Sequence, residues 1–357
     1  MMKVAEAFAP GEYLADELEA RDWSQADFAG IIGRPVQFVS EIINGKKELT
    51  AESAQQIAAA LETSPEFWLN LQNRYNLWLL QQDSAAVAKV DRGAMRAEIA
   101  RIIPLVALEK RGVIDRDADV HELKRQVLRD FNMASTDDTP QFALAAKRSN
   151  SQDEVSLLQR GWLWAAAQKA RGAVPPDRYS PEKLQSLAEE LPHALREPSD
   201  FDDLPTRYRQ CGVILVFVEQ LPGGKIDGAA FLMGDTPVIA ISGRGKRFDK
   251  VVFALMHETA HVVAGHLAEG ITIDGADAEG RPQLEDEANT LAERWALGGS
   301  AEISGAITLA TVTDLAERLE VAPALVIGNL QHNGKLEWRT TLAKGIPNVD
   351  DHLQSWA

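Results

Sequence analysis

The chain has 357 residues, of which 45% are hydrophobic and 25% charged, and carries a net charge of −16. That length predicts two or three domains, and the balance is that of a globular protein with a sizeable core. The acidity excludes broad electrostatic attraction to nucleic acid, leaving only local contact patches. A single cysteine, Cys211, excludes an intrachain disulfide and reads as a small core residue. No apolar run reaches the roughly 18 residues of a membrane span, and Met1 to Pro10 lacks a basic segment followed by an apolar one, so the expectation is a cytoplasmic protein with no membrane partner.

The first 82 residues predict five short helices. Gly11 to Arg21 places Tyr13, Leu14 and Leu18 at helical spacing. Ser24 is an N-cap with Asp27 three residues on, opening a helix through Ile32 that Gly33 breaks. Pro35 is placed to open the next helix, which Asn44-Gly45 stops. Thr50 caps a helix to Leu61, and Ser64-Pro65-Glu66 starts one with Phe67, Trp68, Leu71 and Tyr75. The tight turn near Gly33 makes this a helix-turn-helix arrangement. From 83 to 200 the pattern predicts a helical linking region: helices over Met95 to Lys110, Val120 to Phe131 and Leu157 to Arg171, then short pieces divided by Pro175-Pro176, Pro181, Pro192, Pro198 and Pro205, with the acidic Glu197 to Asp203 as a linker. Trp68, Trp162 and Trp164 read as core.

At Cys211 the period changes. Gly212 to Val218 is a β-branched apolar strand, and Ala229 to Met233 and Pro237 to Ile241 are two further strands separated by turns. A helix with apolar flanks follows, then a loop from Gly270 to Pro282 and a helix from Glu285 to Leu297. The fold class is therefore multidomain: an all-α head (1–82), the helical middle (83–200), an α+β zincin-like domain with a small sheet (201–300) and a C-terminal helical segment (301–357).

The chemistry concentrates in His257-Glu258-Thr259-Ala260-His261. On a helix, H-E-x-x-H puts both imidazoles one turn apart on one face, where they can share a Zn²⁺, with the glutamate placed to take a proton from a bound water. A catalytic zinc needs a third protein ligand. Glu285 and Glu287, on the next helix, lie roughly 200° apart, so only one can face the metal. Glu287 is the expected ligand, on the argument that Ala288, Leu291 and Ala292 share its apolar face. His266 is the rival, well aimed only if Gly265 ends the helix before it. The expected set is thus His257, His261 and Glu287 as ligands and Glu258 as base, giving amide hydrolysis. Arg244, Lys246, Arg247 and His332 are candidate oxyanion stabilisers. Strand Pro237 to Ile241 could receive an extended substrate by strand addition, or be a buried central strand.

His257 through His266, followed by Glu287-Ala288-Asn289 and Leu291-Ala292, resembles the ImmA/IrrE family of metallo-endopeptidases over about residues 200 to 300. The resemblance implies zinc on His257, His261 and Glu287, Glu258 as base, and cleavage of helix-turn-helix repressors. Trp295-Ala296-Leu297-Gly298 departs from the apolar pair ending in Met-Pro that members often carry. The segment from Thr313 to Trp338 is similar to a second small helix-turn-helix found at the end of some members, with substrate holding or capping of the fold as its alternatives.

Residues 8 to 80 resemble HigA-type antitoxins of the Cro/C1 (XRE) class, on Pro10 to Leu14, Ser24 to Ala29, Ser40 to Lys46 and Thr63 to Gln72. That implies operator DNA as partner, commonly as a homodimer, and neutralisation of a toxin. Gln25 could donate to a phosphate and Gln37 read adenine, with Arg34, Ser40, Asn44, Lys46 and Lys47 as further contacts. Against this stand six Lys and Arg opposed to twelve Asp and Glu in residues 1–82, and Val36 where members often carry Arg. The competing reading of the head is a module that dimerises or binds a protein. The expected function is a regulator whose zinc endopeptidase cuts a repressor or toxin protein. The alternative is a non-catalytic HigA-like repressor whose metal domain senses a signal or binds a toxin.

Overall fold

The computed structural model describes residues 6–140, 155–173, 177–274, 282–297, 303 and 305–356. The expected turn at Pro175-Pro176 and most of the loop before Pro282 fall largely outside them. The chain divides into two compact units, Met1–Ala94 and Met95–Ala357. Among the described residues no helix is long and apolar enough to cross a membrane.

The first unit holds α1 (Pro10–Glu19), α2 (Gln25–Ile31), α3 (Val36–Ile43), α4 (Ala51–Leu61), α5 (Pro65–Gln82) and the first half of α6 (Ser84–Ile102). The sequence signals act as read. Ser24 and Asp27 form a reciprocal capping box, Thr50 and Ser64 cap α4 and α5, and Gly45 turns the chain away at φ +66°. Pro35 is the N-cap of α3, one position earlier than expected. Leu14, Phe28, Val39, Ile57, Leu61 and Trp68 make one core, and the Trp68 indole donates to Thr63 Oγ1 at 2.8 Å. Gly11 is needed there: a Cβ would stand 2.1 Å from the Ile42 carbonyl oxygen, so α1 lies directly on the backbone of α3.

In the second unit α6 ends at Ile102 because Pro104 follows, and Pro104 N-caps the short α7 (Leu105–Lys110). The single helix expected over Met95 to Lys110 is therefore two. Next come α8 (Val120–Asp130), α9 (Leu157–Arg171), α10 (Pro181–Ala194) and α11 (Leu204–Gln210). Pro181 sits in the first turn of α10, and Pro192 is tolerated in its last turn, so the prolines cut the chain less than expected. Glu197 to Asp203 is no linker. Pro198–Phe201 is a 3₁₀ turn with Phe201 fully buried, and the Trp356 indole donates to the Phe201 carbonyl at 2.9 Å.

Four strands, β1 (Ile214–Phe217), β2 (Gly228–Met233), β3 (Thr236–Ile241) and β4 (Thr272–Asp274), form a sheet in the order β1-β3-β2-β4. β1 and β3 run parallel and the other pairs antiparallel. β3 is thus central and already paired on both sides, which rules out strand addition at Pro237 to Ile241. β4, at three residues, is too short to show a period in the sequence. β1 and most of β2 and β3 are apolar on both faces because helices cover both sides of the sheet. Ile214, Val216, Val238 and Ala240 face α7, α8 and α9, where Trp162 and Trp164 are buried. Leu215, Phe217, Ile239 and Ile241 face α10, α11, α12 (Phe248–Val263), α14 (Leu309–Leu319) and α15 (Pro323–His332). The remaining helices are α13 (Pro282–Leu297), packed along α12, and α16 (Asp350–Gln354). Cys211 is buried at the end of α11, as expected.

Candidate metal centre and helix-turn-helix head

Helix α12 is buried along nearly its whole length, and His257, Glu258 and His261 are at most 2% exposed. Burial of polar side chains at this level requires partners, and the structure supplies them from four directions. The Nε2 atoms of His257 and His261 point at one another, 3.0 Å apart. Two ligands each about 2.05 Å from a tetrahedral zinc would stand roughly 3.3 Å apart, close to that separation. Glu285 completes the group, with Oε2 3.1 Å from His257 Nε2 and Oε1 3.6 Å from His261 Nε2. The donor atoms of these three residues all lie within 4.8 Å of one another, so the two imidazoles and one carboxylate fit a divalent cation of borderline softness.

The carboxylate that meets the two imidazoles is Glu285, whereas the expected Glu287 meets His266. The helix period explains it. Glu285 is two turns before Ala292, within about 20° of its direction, and Ala288, Asn289 and Ala296 share that stripe. Glu287 lies about 140° away from it and is 58% exposed at its side chain. The sequence carries this signal in the seven-residue spacing from Glu285 to Ala292, which puts Ala288 and Ala292 on the face of Glu285.

The outer faces of the imidazoles are also held. Asn289 Oδ1 lies 3.0 Å from His257 Nδ1, so Nδ1–H donates to the amide oxygen and Nε2 is the unprotonated nitrogen. Gly265 (φ +77°) ends α12 before His266, which begins a 3₁₀ turn and folds back under the site. His266 Nδ1 is 2.9 Å from His261 Nδ1, and His266 Nε2 is 3.3 Å from Glu287 Oε2. One direction of donation satisfies the whole chain: His261 Nδ1–H to His266, then His266 Nε2–H to Glu287. That direction leaves His261 Nε2 unprotonated toward the centre. The rival ligand and the expected ligand thus both stand behind His261.

Burial raises the pKa of Glu285, but its close contacts with the His257 and His261 imidazoles outweigh it and bring the carboxyl down to about 2. Burial is also the largest influence on His261 and pushes its pKa down, against the pull of Glu285. Both directions favour a metal-binding protonation state near neutral pH.

Glu258 is fully buried, its Oε2 3.5 Å from Thr272 Oγ1 on β4. Its side chain passes across Gly228 of β2, where a Cβ would come 2.8 Å from both Glu258 Cγ and Oε1. The helix is locked from behind by Tyr208 of α11, whose hydroxyl meets Thr259 Oγ1 at 2.7 Å. Gly228, Thr272 and Tyr208 carry no signal in the sequence and Asn289 none beyond the family motif, because only the packing of β2, β4, α11 and α13 against α12 brings them here.

The four oxyanion candidates are otherwise engaged. Lys246 pairs with Asp350 at 2.5 Å. Arg247 grips the buried Asp249 through two bonds and reaches Gln331 Oε1 at 2.8 Å. Arg244 pairs with Asp227 at 3.0 Å. His332 is 3.6 Å from Glu293, and its ring lies 4.6 Å from that of Phe253, which is itself 6.4 Å from His257.

In the head, α3 exposes Val36 and Gln37, and Gln37 donates to Glu41 at 2.8 Å. Asn44 donates back to the Ser40 carbonyl at 2.7 Å, and Lys46 and Lys47 are exposed beyond it. Lys47 is 3.7 Å from Glu41. Arg34 is not on the open face: it pairs with Glu52, donates to Gln56 at 2.9 Å and lies over the Phe38 ring. Gln25 opens α2 at a half-buried position.

A helix-turn-helix family model matches residues 14–68, and the peptidase M78 model, the IrrE N-terminal-like domain, matches residues 209–323. An uncharacterised helix-turn-helix transcriptional regulator of Haemophilus influenzae is 39% identical over 74 residues, which is 20% of this chain and 69% of that protein. Antitoxin HigA-1 of Vibrio cholerae is 44% identical over 69 residues, covering 19% of this chain and 65% of the relative. Among solved structures, a HigA-family antidote protein from Coxiella burnetii is 35% identical over 24% of this chain and 94% of that one, with a TM-score of 0.23.

Proposed function

The chain belongs to the helix-turn-helix transcriptional regulators through its head and carries an IrrE N-terminal-like domain behind it, and from that premise we propose a DNA-binding regulator whose second unit is a zinc endopeptidase acting on a regulatory protein. The observation that carries this reading is the convergence of His257 Nε2, His261 Nε2 and the Glu285 carboxylate beside a fully buried Glu258. His257, His261 and Glu285 would hold the metal. When bound, zinc polarises the scissile carbonyl and brings the pKa of its water toward about 7.

The chain's own groups do the rest. Asn289 and His266 fix the two imidazoles with their lone pairs inward, so the ligand set needs no reorganisation. Glu258, boxed between Gly228 and Thr272, accepts the proton of the attacking water and returns it to the leaving nitrogen. In the head, Gln37, Ser40, Asn44, Lys46 and Lys47 form the DNA-facing set, with Arg34 bracing α3 from behind. Operator DNA, a repressor or toxin protein and a second copy of the chain are the proposed partners.

Metal analysis together with a cleavage assay tests this reading. Wild type should hold one zinc per chain and cut its target, His261→Ala should lose the metal, and Glu258→Gln should keep the metal and lose cleavage. A wild-type chain without stoichiometric zinc would sink it. Retained function in Glu258→Gln would leave a non-catalytic repressor, the reading that the antitoxin-like head favours.

A further inference from the structure

A cavity of about 380 Å³ opens beside the metal centre, walled by α12, α13, α15 and Trp338. Its volume is that of a small ligand pocket. Phe253 belongs to both places, since it lines the cavity and stacks on His257 at 6.4 Å. Asp227, also in its lining, precedes the Gly228 that Glu258 crosses. An extended chain advances about 3.3 Å per residue. A peptide whose carbonyl lies at the histidines therefore brings a neighbouring side chain to this opening.

The lining states what that side chain must be. Its two carboxylates are already paired within the chain, and its lysine lies over an aromatic ring. Asp249 is 4% exposed and held bidentate by Arg247, Asp227 is paired with Arg244, and Lys250 lies 5.2 Å from the centre of the Trp338 ring. Both lining carboxylates are thus taken, which leaves no anion to draw a cationic side chain. The rest of the wall is mainly apolar, with Phe253, Met256, Ala296 and Leu325, and Asn329 and His332 add polar groups from α15. Leu325 and Trp338 lie beyond residue 323, where the peptidase-family match ends.

We propose that this cavity is a specificity pocket for a bulky apolar side chain, aromatic or large aliphatic, of the peptide next to the cleaved bond. The C-terminal segment supplies its outer wall, so α15 and Trp338 select substrate rather than only cap the fold. The inference rests on the peptidase reading for the identity of the occupant.

The test uses the full chain, labelled at its methionine methyl groups, with and without zinc. In the metal-free arm, N-acetylphenylalaninamide should shift the Met256 methyl signal and N-acetylglycinamide should not. In the zinc arm, phenylalanine hydroxamate should bind at least about tenfold more tightly than glycine hydroxamate. Asn329→Trp, which fills the cavity from a half-buried position, should erase that preference and leave the glycine probe unchanged. Trp338→Ala, at a site 56% exposed, should weaken it several-fold. Equal affinities for the two hydroxamates, or an unmoved Met256 signal, would overturn the pocket. A Met256 shift in a chain that takes up no zinc would instead fail the peptidase reading and leave the pocket standing.

Discussion

The assignment of the third ligand makes the sharpest prediction, because two glutamates two residues apart should respond oppositely. Glu285 touches both imidazoles, and its carboxyl is held at about 2. Glu287 touches only His266, at 3.3 Å and with most of its side chain in water. An exposed contact of that kind is worth about 1 kcal/mol at most, or roughly fivefold in zinc affinity. Removing His266 itself deprives His261 of its orienting partner, a loss of about 10- to 100-fold for groups in that position. Loss of a ligand should exceed the upper end of that range. Zinc dissociation constants, measured by competition against a chromophoric chelator at fixed pH, should therefore rank Glu285→Gln weakest, then His266→Ala, with Glu287→Gln close to wild type. Should Glu287→Gln lose the metal while Glu285→Gln keeps it, the helix-face argument is wrong and the original expectation returns.

Further outcomes follow from single contacts. Gly228→Ala places a Cβ 2.8 Å from Glu258 Cγ and Oε1, so it should cost about 1–3 kcal/mol of stability and displace the base while zinc stoichiometry persists; denaturant melts and metal analysis of one sample check both. Arg247→Ala leaves Asp249 buried without its partner and should cost about 3–5 kcal/mol in urea unfolding, against a much smaller loss for the double change with Asp249→Asn. In the head, Ser24→Ala breaks the capping box of α2 and should cost about 1 kcal/mol. Once an operator has been selected from random DNA, Gln37→Ala should relax one base position by about 1–3 kcal/mol. Lys46→Ala should instead weaken all sequences alike and lower the salt slope by about one.

Much of this protein was legible from local pattern alone. Caps such as Ser24, Thr50 and Ser64 act through residues three positions away, so the head helices could be placed before any tertiary contact was known. The i,i+4 spacing of His257 and His261 is likewise a property of one helix, and the strands could be found because apolar β-branched runs bounded by turns need no partner to be recognised. What the sequence left open was decided by packing between elements. The angle at which α13 lies along α12 brings Glu285 to the histidines and turns Glu287 outward. The left-handed turn at Gly265 sends His266 behind His261. Helices on both faces make β3 a central strand with no free edge. The last of these decisions is the placing of α15 and Trp338 against α12, which builds an apolar cavity from residues some 80 positions apart in the chain. Such a cavity has no periodicity to announce it, because its walls are neighbours only in space.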